Sequence, residues 1–141
     1  MNISRRHFTR AVVAAAAPMI LPSRILFGAE TPSNKVVTAH IGVGGQGGGD
    51  LGGCLGVATC QPVAACDAFL SRAKAAAGRM GAGAMATQDF REIMARSDID
   101  AVVISTPDHW HVPLALAAVK SGKDVYVQKP LGLSIAQNQI L

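Results

Sequence analysis

The sequence predicts an α/β fold, a parallel sheet covered by helices on both faces, and three observations carry that prediction. Short apolar runs at Val36 to Ile41, Val63 to Cys66, Ala101 to Ser105 and Val125 to Val127 alternate with segments of helical character. Glycines follow the first run at once, with Gly42, Gly44 and Gly47 in G-x-G-x-x-G spacing. Breakers then stop the later runs where strands should end, Thr106-Pro107 after one and Pro130 after another. Strands that alternate with helices pair in parallel, and right-handed crossovers leave a doubly wound sheet as the simplest solution.

The chain has 141 residues, 50% hydrophobic and 16% charged, which is enough for one domain with a sizeable core and excludes a disordered chain. A net charge of +4 suggests nucleic acid until its location is read. Arg5, Arg6, Arg10 and Arg24 fall in the first 29 residues, which hold no acid, and nine basic and nine acidic side chains remain beyond them. No basic patch is left to explain, and no nucleic-acid partner is expected. Cys54, Cys60 and Cys66 recur every six residues, a spacing that matches neither C-x-x-C nor a zinc site. They read as small buried thiols, since an odd count fits no disulfide framework.

Residues 1–29 open with SRRHF and continue as an apolar run from Ala11 to Leu21, the pattern of a twin-arginine export signal. The run is too short to span a bilayer as a helix, and Pro18 interrupts it. A frayed amphipathic helix is the alternative. Export by the twin-arginine machinery to the periplasm is the expectation, with a linker over 30–34 and the domain proper over 35–141. Beyond the glycine loop, Gly48 to Ala58 is expected to be helical, with Leu51 and Leu55 facing the sheet. Its glycines each cost about 1 kcal/mol against alanine, so it must depend on tertiary packing. Leu70 to Met80 is an alanine-rich helix with Arg72, Lys74 and Arg79 turned mostly to solvent. A short strand is expected at Ala84 to Ala86. Asp89 and Glu92 form a variant capping box for a helix through Arg96. Pro113 suits the first turn of the next helix, Gly122 the position after its end, and Ser134 the cap of a last one.

The glycine loop has a specific chemistry if a dinucleotide binds there. Gly42 allows a tight turn off the strand, Gly44 lets a pyrophosphate approach bare backbone, and Gly47 lets the helix pack on the sheet. Gly45 and Gln46 lie between them, so the phosphates would rest on the helix N-terminus. A glycine-rich turn in another α/β fold would show the same spacing. Asp67 stands twenty positions beyond Gly47, at the end of the second strand. Its carboxylate suits a ribose hydroxyl and repels a 2′-phosphate, favouring NAD over NADP, while nearby Arg72 leaves room for NADP. A helix N-cap is the other reading of Asp67. Thr106, Pro107 and Asp108 fall where the fourth strand opens onto the crevice, followed by His109, Trp110 and His111. Two imidazoles without a third ligand do not make a metal site. The cluster lines a cofactor pocket or packs as Trp110 and a hydrogen-bonded His111.

Three segments, IGVGGQG (Ile41 to Gly47), DIDAVVISTPDHWH (Asp98 to His111) and GKDVYVQKPL (Gly122 to Leu131), together resemble the Gfo/Idh/MocA family of glucose–fructose oxidoreductases and inositol dehydrogenases. The resemblance runs over roughly Lys35 to Leu141 and implies a Rossmann-type nucleotide domain, followed in that family by a substrate domain that supplies the usual catalytic histidine and is not in this sequence. The leader resembles that of the secreted branch. By this resemblance the turn of Thr106, Pro107 and Asp108 lines the nicotinamide side, and His111 is expected among the cofactor-binding residues. Lys129 matches the lysine of the family's E-K-P motif, where it would hold a substrate hydroxyl and favour its alkoxide. Gln128 stands where glutamate is common, so it can hydrogen-bond but not act by charge. The implied function is hydride transfer between NAD and a sugar or cyclitol, by a protein that forms homo-oligomers at full length. An NAD-dependent glycosidase and a non-catalytic nucleotide-binding fragment are the alternatives.

Overall fold

The computed structural model describes residues 34–141; the leader expected over 1–29, with its paired arginines, and nearly all of the linker lie outside the described residues. The order of elements is β1 (Val36–Ile41), α1 (Gly45–Leu55), β2 (Cys60–Cys66), α2 (Leu70–Met80), β3 (Met85–Thr87), α3 (Phe90–Met94), β4 (Ala101–Ile104), α4 (His111–Lys120), β5 (Asp124–Val127) and α5 (Ile135–Asn138). A 3-10 turn, Asp108–Trp110, precedes α4. All strand pairs are parallel, in the order β3-β2-β1-β4-β5. The chain winds outward from the central β1 to β3, then crosses back to lay β4 on the other side of β1. That reversal opens a crevice at the carboxyl ends of β1 and β4.

Two clusters hold the layers together. On one face Ala39, Ile41, Val102 and Ile104 pack with Ile93 of α3 and with Leu114, Ala115 and Ala118 of α4. On the other, Val43, Leu51, Ala65, Ala73 and Ala76 join α1 and α2 to the sheet. The alanine run of α2 buries Ala73, Ala76 and Ala77 and leaves Arg72, Lys74 and Arg79 exposed.

Several expected boundaries move. Helix α1 begins at Gly45, so the end of the glycine loop is itself the first turn. Leu51 is fully buried, but Leu55 is 38% exposed, because α1 ends there and the following turn, 56–59, is exposed throughout. Strand β2 starts at Cys60, three residues early; the β1–β2 register shifts between Thr38 and Ala39, and that irregularity accommodates Pro62 inside the strand. Strand β3 lies one residue later than expected. Helix α3 stops at Met94 rather than Arg96, where the Arg96 N–H tightens onto the Ile93 carbonyl. Asp89 caps it as expected, accepting from the Arg91 N–H at 2.9 Å, and Ser134 caps α5 through Gln137. Gly122 takes the positive φ of 73° that follows α4.

Candidate cofactor-binding site

The site starts from backbone geometry. Gly42 has φ 80°, its N–H donates to the Cys66 carbonyl, and a Cβ there would lie 2.7 Å from the Ser105 carbonyl oxygen. Any side chain would therefore push β1 and β4 apart. A Cβ on Gly47 would collide with the Gly42 carbonyl oxygen, so α1 starts hard against the strand it leaves. Gly44 is the N-cap of α1 with no side-chain cap, and the first helical bond runs from the Gly48 N–H to Gly44. The N–H groups of Gly45, Gln46 and Gly47 thus have no acceptor within the helix. A Cβ on Gly45 would meet nothing within 4 Å.

The Gly45 and Gln46 amides open on a cavity of about 670 Å³ lined by Gly42, Gly44, Gly45, Gln46, Asp67, Thr106 and Pro107, all expected at the site. Phe69, Arg72, Phe90, Arg91, Ser105 and Trp110 complete much of its wall. Asp67 is 8% exposed; its Oδ2 accepts from the Val43 N–H at 3.1 Å and its Oδ1 from the Phe69 N–H at 2.9 Å. It braces the glycine loop against the start of α2, whose N-cap is Phe69 rather than Asp67. Each oxygen keeps a further lone pair for a ligand hydroxyl. Arg72 lies over the Phe69 ring at 4.5 Å, and its guanidinium comes within 3.1 Å of the position a Gly44 Cβ would take. A cation therefore stands where the helix N-terminus would hold phosphate. The Thr106 Oγ1 is buried without a hydrogen-bond partner, in a residue that lines this cavity. Bare amides, an unpaired hydroxyl, a cation and a carboxylate in one cleft fit a dinucleotide.

Other expected residues stand apart from the cavity. Gly47 serves packing. Asp108 and Lys129 are exposed and do not line it. His111 is 1% exposed, so it cannot touch a ligand; Nδ1 faces the Pro130 carbonyl at 2.6 Å and Nε2 the Thr106 carbonyl at 2.8 Å. It joins the loops after β4 and β5. Gln128 donates its amide to both oxygens of Asp50, at 3.0 and 2.9 Å, and so is committed to α1 rather than to a cofactor. Trp110 is 45% exposed and lines the cleft, whereas His111 is buried and hydrogen-bonded.

Asp50 is the residue the sequence reading missed. Ser105 Oγ donates to it at 2.6 Å and Gln46 Nε2 at 3.0 Å, so one carboxylate ties the first turns of α1 to the ends of β4 and β5. Partial burial pushes its pKa upward, but the bonds from Ser105, Gln128 and Gln46 outweigh this and hold the carboxyl below its usual range. A signal was present: Asp50 is the sole acid between Lys35 and Asp67. His40, 1% exposed in β1, has Nε2 3.4 Å from the Thr38 hydroxyl and no partner for Nδ1. Burial, partly opposed by the Asp50 charge, pushes its pKa down to about 4. Among the described residues no three His, Cys, Asp or Glu side chains converge as a metal site needs.

Comparison with known proteins agrees with this geometry. The family GFO_IDH_MocA, described as an oxidoreductase family with an NAD-binding Rossmann fold, matches residues 38–141. An α-N-acetylgalactosaminidase of Shewanella oneidensis is 30% identical over 162 residues, covering 96% of this chain and 35% of that protein. The chain thus spans about a third of the length of the curated relatives it matches. A candidate myo-inositol dehydrogenase from Sinorhizobium meliloti superposes with a TM-score of 0.70 at 32% identity, over 75% of this chain and 31% of that one. GenD2 from gentamicin A biosynthesis, solved in complex with NAD, gives 0.72 at 26% identity, over 76% and 30%.

Proposed function

Because the chain belongs to the Gfo/Idh/MocA family of oxidoreductases with an NAD-binding Rossmann fold, we propose that it is the cofactor-binding part of an enzyme that moves hydride between NAD and a sugar or cyclitol carbon. One observation carries the reading: the uncapped N-terminus of α1, made of glycines, opens on a cavity beside Asp67. The N–H groups of Gly45 and Gln46 hold the pyrophosphate, with Arg72 adding charge. Asp67 takes the adenosine ribose. Its buried carboxylate disfavours a 2′-phosphate, which supports NAD over NADP. Thr106 Oγ1 gains a partner at the nicotinamide side, and a bound nicotinamide supplies the two-electron acceptor. Lys129, exposed beyond β5, holds the reacting hydroxyl and favours its alkoxide by charge.

Calorimetry with NAD and NADP on the wild-type chain and on Asp67→Ala tests the cofactor assignment. NAD should lose affinity more than NADP in the variant; equal losses would refute the ribose role. A second reading, an NAD-dependent glycosidase, is supported by the relative named α-N-acetylgalactosaminidase. There oxidation is transient and bond cleavage is the net result. With the longer protein, a keto product formed with stoichiometric NADH marks a dehydrogenase, and free sugar released with cofactor unchanged marks a glycosidase. NAD binding with neither product would leave a nucleotide-binding module. Export through the twin-arginine machinery and homo-oligomers at full length complete the proposal, supported by the Arg5-Arg6 leader and the resemblance.

A further inference from the structure

Two aromatic side chains stand exposed on the cavity wall and belong to neither core cluster. Phe69 is 60% exposed; it is the N-cap of α2, but its side chain makes no cap bond. Trp110, which ends the 3-10 turn after β4, is the other. Each is braced by a neighbour that also lines the cavity. Arg72 lies over the Phe69 ring at 4.5 Å, and the Phe90 ring meets Trp110 with centroids 6.4 Å apart and planes inclined at 59°. Phe69 and Arg72 come from the start of α2, which packs on one face of the sheet. Phe90 and Trp110 start α3 and precede α4, which pack on the other. Each helical layer thus supplies one aromatic wall.

The strand order says which half of a dinucleotide meets these walls. Residues at the ends of β1, β2, β3 and β4 line the cavity, and none after β5 does. In the order β3-β2-β1-β4-β5, the cavity therefore extends from the N-terminus of α1 towards the β3 edge. Asp67, at the end of β2, lies on that side, and an adenine is bonded to the ribose that Asp67 takes. Lys129 lies beyond β5, on the opposite side. Trp110 follows the turn expected to line the nicotinamide, but its ring packs on Phe90, which follows β3.

We propose that Phe69 with Arg72, and Trp110 with Phe90, are the adenine-binding walls of the cleft, so that Trp110 recognises the purine and not the nicotinamide. Aromatic faces and guanidinium planes both stack on a purine and leave water as they do so. The inference rests on the reading of the cleft as a dinucleotide site with the adenosine ribose on Asp67.

Trp110 is the sole tryptophan of the chain, so indole emission reports on this wall alone. The full 141-residue chain is titrated with ADP, with nicotinamide mononucleotide and with NAD, and emission and heat are followed in parallel. ADP and NAD should change the emission saturably, at the midpoints calorimetry gives, and nicotinamide mononucleotide should cause no saturable change. Trp110→Ala should weaken ADP binding about 5- to 150-fold, the loss of one base stack, and Trp110→Phe should recover most of it. ADP heat with unmoved emission would overturn the inference while leaving the dinucleotide site in place. So would a saturable emission response to nicotinamide mononucleotide alone, or wild-type ADP affinity in Trp110→Ala. Neither heat nor emission change with NAD would refute the dinucleotide reading itself, and this inference with it. The wild-type titrations separate these outcomes even where a variant fails to fold.

Discussion

A methyl group placed at Gly44 or at Gly47 should separate ligand binding from folding. At Gly44 the backbone has φ −77° and ψ 176°, a conformation any residue adopts, and the new Cβ would meet only the flexible end of Arg72 at 3.1 Å. Gly44→Ala should therefore fold, losing less than about 1 kcal/mol for the changed N-cap. The methyl nevertheless stands between the free amides of α1 and an incoming phosphate. Forfeiting one hydrogen bond to a charged group costs about 1.5–3 kcal/mol, or roughly 10- to 150-fold in NAD affinity. At Gly47 the obstacle is rigid backbone, the Gly42 carbonyl, with Ser105 Cβ at 3.0 Å behind it. There α1 must lift off the sheet, with overpacking costs of about 1–3 kcal/mol before any ligand is added. Melting by circular dichroism and titration calorimetry on both variants make the comparison. Wild-type NAD affinity in Gly44→Ala would refute a pyrophosphate site at this helix.

His40 gives a pH signature. Its pKa falls from 6.5 to about 4 on folding, so the unfolded chain takes up more protons between those values, and stability present above 6.5 is lost as pH falls towards 4. That amounts to about 3 kcal/mol, and denaturant melts of His40→Gln should show a flatter profile over the window than wild type. Gln128→Glu would set a second carboxylate against Asp50, replacing two bonds with repulsion. Its stability at pH 7 should drop by about 1.5–3 kcal/mol and recover at lower pH as the pair shares a proton; an unchanged urea midpoint would discount the Asp50 bracket. In the leader, joint Arg5→Lys and Arg6→Lys changes should trap the protein in the cytoplasm, and normal periplasmic yield on fractionation would rule out twin-arginine export.

Much of the fold was legible because its signals are local. The Val36 to Ile41 run, the glycine spacing and the alanine-rich helix each depend on neighbours in sequence, and each lies where expected. Boundaries failed where tertiary structure overrode local chemistry. The strand expected from Val63 starts at Cys60, and β2 carries Pro62 at a register irregularity that pairing with β1 creates. Of the site, the cleft residues Gly42, Gly44, Gly45 and Gln46, with Asp67, Thr106 and Pro107, follow from one motif and the strand ends. The role of Asp50 does not. Its partners Ser105 and Gln128 lie 55 and 78 positions away, and nothing in a single sequence joins them. His111 was chosen for its neighbourhood, and only burial shows that both ring nitrogens face inward to carbonyls.

That inward-facing ring fixes a dimension. The carbonyl of Thr106 belongs to the edge of the crevice where a nicotinamide would lie, and the carbonyl of Pro130 follows directly on Lys129. Between them stands one planar imidazole, contacting Pro130 at 2.6 Å and Thr106 at 2.8 Å. The gap between the two loops is therefore the width of an aromatic ring plus a nitrogen-to-oxygen contact on either side. Surface residues such as Pro107, Asp108 and Leu131 can change without altering it. The separation of the Thr106 edge of the crevice from Lys129 is thus carried by a side chain buried between the two loops.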